Sequence, residues 1–258
     1  MIFVYLFAVF KGTMDDPKKY DGPMPHHIDA LFQLASGLKH IHSQNLVHGN
    51  IKPENVLISV RSGGKDDITV KWANFGLTRN VSERGRGKTN QVGGDNTWLA
   101  PELLSFKLNS SVEENNYKET AKSDVFALGL VFGSLILNGE HLYGPMENEN
   151  EIPQNIIEGN PINMQKIGGK LRDCYENDLM KKMLEHAPDK RMTSTQVSQR
   201  VSQLKAIKEK LTEKEKELIQ LCGDVHRSRI DFRKRVLVQR RRSWRSLCNC
   251  FLLRCYLV

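Results

Sequence analysis

The sequence predicts an α+β fold, with short strands early in the chain and helices through the remainder. Three observations carry that expectation. The opening MIFVYLFAVF is rich in β-branched and aromatic residues, which suits one buried strand. Between His26 and Ser43, the apolar Ile28, Leu31, Phe32, Ala35, Leu38 and Ile41 recur at steps of three and four, as in an amphipathic helix. Val125–Leu137 is almost wholly apolar, as a helix buried on every side would be.

The elements follow in order. After the opening strand, Lys11–Pro25 is a polar connector broken by Gly12, Pro17, Gly22, Pro23 and Pro25. In the helix that follows, His26, His27, His40 and His42 read as ordinary helix-face residues. Leu46–Val47 and Val56–Ile58 are short apolar runs on either side of a polar turn, and Ile68–Trp72 is a further strand reached through Gly63-Gly64. Asn74–Trp98 is a long polar stretch with five glycines, and loops of that length in compact domains are functional or disordered. Leu179–Leu184 and Met192–Leu204 are two helices separated by a Pro188-Asp189 turn.

Composition narrows the class. The chain has 258 residues, 39% of them hydrophobic, which is ample for a buried core. With 26% charged residues and a mean hydropathy of -0.47 it is neither a membrane bundle nor a disordered chain. The net charge of +8 belongs to the end of the chain, because residues 1–222 are neutral and Gly223 onward holds 10 Lys/Arg against 2 Asp/Glu. Five cysteines, three of them at 248, 250 and 255, do not make a disulfide framework and point to a reducing compartment. The opening lacks a basic n-region and is too short to span a bilayer. No signal peptide or transmembrane segment is therefore expected, and the protein is placed on the cytoplasmic side, peripheral to a membrane if its tail binds one.

In that tail Leu204, Leu211, Leu218 and Val225 recur every seven residues, with Ile207, Lys214 and Leu221 in the second heptad phase. This suits a short coiled coil or a final helix lying on the domain. Arg227–Arg245 then carries nine basic residues interleaved with apolar ones. Such a segment suits an anionic membrane or RNA, not a specific DNA site, and its bland reading is a solvated end.

The chemistry is concentrated in five motifs. Leu46–Ser59 reads LVHGNIKPENVLIS, with His48, Gly49, Asn50, Ile51 and Asn55 in the spacing H-R-D-L-x-x-x-N. Asn74-Phe75-Gly76 follows a strand where D-F-G would stand, and Ala100-Pro101-Glu102 reads A-P-E. Lys122–Gly129 opens the apolar helix, and Asp189-Lys-Arg191 follows a helix pair. In this order the motifs closely resemble the protein kinase superfamily, over roughly residues 2–203. The wording of His42–Gly49, Asn55–Ser59, Thr97–Glu102 and Gly139–Gly144 is similar to inositol-requiring-type stress-sensor kinase/endoribonucleases and to the 2-5A-dependent ribonuclease.

The resemblance implies a kinase-like domain over 1–203 and a helical, then basic, cysteine-containing tail over 204–258. The kinase-like part would be mainly the helical C-lobe, beginning at the last N-lobe strand, with the N-lobe mostly absent. No G-x-G-x-x-G precedes His48. The ribonuclease module that follows the kinase lobe in those proteins would be missing or replaced. ATP and magnesium are the implied cofactors, with Asn55 and Asn74 at the nucleotide and metal positions. Asn50, Lys52 and Asn55 are the implied catalytic positions, and His48, Phe75, Gly76, Glu102, Asp124 and Arg191 the structural ones. Glu102 and Arg191 are expected to form a buried pair.

The departures fall on the chemistry. Asn50 and Asn74 stand where the family has the two Asp residues of H-R-D and D-F-G, Gly49 replaces the intervening Arg, and Asp95 replaces a Thr of the substrate-docking segment. An amide cannot act as a general base at neutral pH and is a poor ligand for a hard cation. The leading expectation is a pseudokinase or dimerising interaction module with a protein partner. Two alternatives stand beside it: an authentic Ser/Thr kinase whose N-lobe is missing from the sequence, and a membrane- or RNA-binding protein acting through the basic tail.

Overall fold

The computed structural model describes residues 2–5, 25–60, 68–80, 94–108, 120–144, 150–170, 174–221 and 234–235. The chain divides into two compact units, Met1–Lys205 and Ala206–Val258. In the first, strands β1 (Ile2–Tyr5), β3 (Val56–Val60) and β4 (Ile68–Trp72) form an antiparallel sheet in the order β1-β3-β4. Val56 lies opposite Trp72, and Ile58 opposite Val70. The period-two alternation of a half-buried strand sends Ile68, Val70 and Trp72 inward. A second antiparallel pair joins β2 (Leu46–Val47) to β5 (Arg79–Asn80). The strand anticipated at Val56–Ile58 runs on to Val60.

Helix α1 (His27–Ser43) buries Ile28, Leu31, Ala35, Leu38 and Ile41 of the predicted stripe, adds Ala30 and Leu34, and leaves Phe32 only partly buried. It packs on β4 at close range. The Trp72 indole N–H donates to the Leu34 carbonyl at 2.9 Å. At Gly37 a Cβ would come within 3.1 Å of the Trp72 ring, so any larger residue would have to push the indole aside by a few tenths of an ångström. Gln33 Oε1 accepts from Val70 N at 2.7 Å and its Nε2 donates to the Ile68 carbonyl at 3.4 Å. One side chain thus occupies the outer edge of β4, where an unpaired strand would otherwise recruit another.

The centre of the unit is α3 (Ala121–Ile136), buried continuously from Ser123 to Ile136. Its start is set by a capping box between Thr120 and Ser123. Around it lie α2 (Pro101–Leu108), α4 (Ile152–Glu158), α5 (Met164–Lys170), α6 (Cys174–Met183) and a helix over residues 194–205. A second capping box, Thr193 with Gln196, opens the last of these. Periodicity did not announce α2, α4 and α5. In α4 only Ile152 and Ile156 are buried, and two apolar residues make no readable stripe.

Arg191 is the largest fully buried side chain among the described residues, and all five of its N–H donors are used. Nε donates to the Glu185 carbonyl at 2.8 Å. Nη1 reaches Glu102 Oε1 at 2.9 Å and the Lys122 carbonyl at 2.8 Å. Nη2 reaches Glu102 Oε2 at 3.0 Å and the His186 carbonyl at 3.1 Å. The bidentate pair with Glu102 ties α2, α3 and the loop after α6 to one point, and the guanidinium lies 4.9 Å from the centre of the Phe126 ring.

In the second unit residues 206–221 are helical. The basic segment Arg227–Arg245 lies outside the described residues apart from 234–235, as do Val225, Cys248, Cys250 and Cys255. Among the described residues no helix is long and apolar enough to cross a membrane.

Replacing Glu102 by Ala leaves a buried guanidinium without its counter-ion. Because Glu102 keeps 22% of its side chain exposed, the expected loss is near the lower end for such pairs, about 3 kcal/mol in urea unfolding. A loss below about 1 kcal/mol would show that the carbonyls alone hold Arg191.

Candidate functional site

The site is built from the loop after β2 outward. Asp124, 3% exposed in the first turn of α3, accepts three hydrogen bonds. His48 N donates to Oδ2 at 2.7 Å, Gly49 N to Oδ1 at 3.0 Å, and His42 Nε2 to Oδ2 at 2.9 Å. The carboxylate therefore holds two successive backbone amides of the loop. That geometry requires Gly49 at φ 72°, a left-handed conformation that glycine adopts without strain.

The His48 ring carries the tie onward. Its Nδ1 accepts from Asn50 N at 3.3 Å, so Nε2 bears the proton and donates to the Ala73 carbonyl at 3.1 Å. Burial pushes the His48 pKa down, and the nearby Asp124 charge opposes that in part. The ring also lies 5.0 Å from Phe75, centre to centre. Phe75 remains 51% exposed, so it braces the turn through His48 without joining the core. Gly76 beside it is exposed as well.

Two side-chain amides, those of Asn55 and Asn74, meet the Asn50 backbone carbonyl at the centre of the site. Pro53–Asn55 forms a single 3-10 turn, with proline where its fixed φ and missing N–H cost nothing, and this turn aims Asn55 inward. Asn55 is 4% exposed; its Nδ2 donates to the Asn50 carbonyl at 2.6 Å, and its Oδ1 accepts from Asn74 Nδ2 at 3.1 Å. The backbone of Asn55 accepts from Ala73 N at 2.8 Å, which brings the two segments into register. Asn74 sits at φ 62°, ψ 67°, a left-handed conformation that Asn tolerates better than most residues. Lys52 points elsewhere: its Nζ lies 3.9 Å from Asp95 Oδ2. Asp95 in turn accepts from Thr97 N at 3.0 Å and from Thr97 Oγ1 at 2.8 Å. Among the described residues no group of three or more His, Cys, Asp or Glu is arranged to hold a metal ion.

Two histidines hold places that the sequence reading did not give them. His42 is not an ordinary helix-face residue, because both ring nitrogens are engaged: Nε2 with Asp124 and Nδ1 with the buried Ser194 Oγ at 2.8 Å. The signal was present in the spacing, since His42 continues the buried series Leu31, Ala35, Leu38 at the next four-residue step. His141 is fully buried, packed edge-on to Trp98 at 4.8 Å, and its Nδ1 accepts from Tyr143 N at 3.1 Å. Burial holds its pKa down to about 4, against smaller opposing pulls from the Thr97 backbone and Asp95.

Between its ordinary value near 6.5 and about 4, the unfolded chain binds a proton on His141 that the native protein refuses. Unfolding free energy is therefore expected to fall as pH drops across that window and to level off below it, with His48 contributing in the same direction. Urea midpoints measured across the window check this. The His141→Gln variant is expected to show a shallower slope, and an unchanged slope would remove His141 from the account.

The model of the protein kinase domain matches residues 18–201. Over 184 residues the chain is 29% identical to a sensor for unfolded proteins in the ER, ire1, of Schizosaccharomyces pombe, covering 64% of this chain and 16% of that protein. It is 28% identical to the serine/threonine-protein kinase/endoribonuclease IRE1 of Hypocrea jecorina, covering 65% of this chain and 15% of that protein. Identity to the serine/threonine-protein kinase ATG1b of Arabidopsis thaliana is also 28%, over 63% of this chain and 20% of that protein. The match thus spans a fifth or less of each of these relatives.

Proposed function

The chain belongs to the protein kinase family, and from that premise we propose that it is a pseudokinase: an interaction module, related to the stress-sensor kinases, that does not transfer phosphoryl groups. The observation that carries this reading is the neutral amide at position 74, whose Nδ2 donates to Asn55 Oδ1 at 3.1 Å, while Asn55 Nδ2 donates to the backbone carbonyl of Asn50 at 2.6 Å.

Phosphoryl transfer in this family needs one carboxylate to receive the acceptor hydroxyl's proton and another to hold magnesium against the phosphates of ATP. At the corresponding positions, 50 and 74, this chain has neutral amides. The Asn50 amide cannot take a proton at neutral pH. Asn74 puts a neutral amide where the family has the carboxylate that holds magnesium, and Asn55, at the position of the family's other magnesium ligand, does not replace that charge. Their amides are already bonded to each other, and Asn74 turns a donor, not an anion, toward Asn55. The Lys52 ammonium, which the family aims at the transferring group, here faces the Asp95 carboxylate at 3.9 Å. No step through magnesium is therefore assigned to these residues.

The domain in this reading spans 1–203, and the segment 204–258 is a separate tail. His48, Phe75, Gly76, Glu102, Asp124 and Arg191 act as scaffold, and function passes through surfaces that bind a protein partner. Lys52 and Asn55, both present as in the family's pattern, favour a second reading, a weakly active Ser/Thr kinase.

One assay separates the two. The purified chain, given ATP, magnesium and a generic protein acceptor, is expected to transfer no phosphate above a protein-free background. Asn74→Asp is expected to gain a magnesium-dependent rise in melting temperature that the parent chain lacks. Phosphotransfer by the unmodified chain that disappears with a chelator would overturn the proposal and leave the second reading standing.

A further inference from the structure

The helix over residues 206–221 carries an apolar seam on its surface. Ile207, Leu211, Leu218 and Leu221 keep 42, 55, 61 and 60% of their surface exposed, against the few per cent typical of the buried residues in the first unit. Their spacing of four, seven and three puts them on one face, with Leu211 and Leu218 at heptad position a and Ile207 and Leu221 at d. Lys214 holds the remaining d position, in the middle of the seam.

We propose that this face pairs with the same helix of a second copy of the chain, running antiparallel. The charges select the occupant. Residues 206–221 contain four Lys and four Glu, so the helix is neutral, and an acidic or basic partner gains no net attraction from it. A second copy gains specific pairs instead. The charges also select the direction. In a parallel pair each d residue faces its own copy, which sets Lys214 against Lys214 in the seam. In an antiparallel pair a faces d: Leu211 meets Lys214 of the second copy, and Leu218 meets Ile207. The lysine can lay its alkyl stem over leucine and carry its ammonium out to water. The flanking g positions are Lys210 and Glu217, which face each other across the antiparallel seam and do so twice by two-fold symmetry. The inference is independent of whether the kinase-like domain transfers phosphate.

Sedimentation velocity of the full chain over a range of concentrations reads the outcome. A reversible monomer–dimer equilibrium is expected. Leu211→Glu and Leu218→Glu should each shift it to monomer while the melting temperature of the first unit stays unchanged. Lys210→Glu should weaken dimerisation about tenfold by setting Glu against Glu217, and adding Glu217→Lys should restore it. In a parallel pair Lys210 instead faces Glu215, so rescue by Glu215→Lys and not by Glu217→Lys would overturn the antiparallel arrangement. A chain that stays monomeric at every concentration, or a dimer indifferent to both leucine variants, would overturn the proposal altogether. The charge-swap pair keeps the test decisive if a leucine variant fails to fold.

Discussion

The Asp124 carboxylate is the contact on which the rest of the site depends. It enters the interior on α3, a helix buried from Ser123 to Ile136, and a charge there is tolerable only if hydrogen bonds replace its water. Three donors do so: two backbone amides of the 48–49 loop and the His42 ring. Bonds to a charged group contribute about 1.5–3 kcal/mol each, so the loop is fixed by the cost of leaving Asp124 unpaired. From that anchor the order of the site follows outward. His48 is set by its backbone, its ring then fixes Ala73, and the backbone bond from Ala73 to Asn55 brings Asn74 against the Asn55 amide.

Arg191 solves the same problem with the opposite sign. Its guanidinium is buried beside Phe126, and five donors are matched by Glu102 and three backbone carbonyls. The two buried charges sit on or against the first turn of α3, Asp124 within it and Arg191 on the Lys122 carbonyl. One gathers the loop that carries the site, the other gathers α2 and the loop after α6. The scaffold can therefore hold its geometry whatever stands at positions 50 and 74. This is the physical basis for proposing a family member that keeps its fold without the family's chemistry.

How much could be read beforehand varied with the physical signal. The stripe of α1 and the apolar run of α3 were legible because burial imposes a period on side chains, and the strand Ile68–Trp72 fell where its β-branched and aromatic content put it. Helices α2 and α4 were not legible, because seven or eight residues with two or three buried positions leave no period to detect, and the seven-residue α5 is as short. His42 escaped for a different reason. A histidine on an apolar stripe reads as a tolerated interruption until its two ring nitrogens are seen to meet residues 82 and 152 positions away.

By itself, the sequence determined the class of fold, the positions of its longest elements and the residue types at the site, including amides at 50, 55 and 74. These are properties of neighbours along the chain, and local periodicity and motif spacing record them. Only the tertiary structure decided which atoms meet. It joined Asn74 to Asn55, turned Lys52 toward Asp95, buried His141 against Trp98 and left Phe75 half exposed. Those contacts join residues from 19 to 43 positions apart, except at Phe75, where exposure was the outcome. No local pattern encodes them, because each joins segments that only the folded chain brings together.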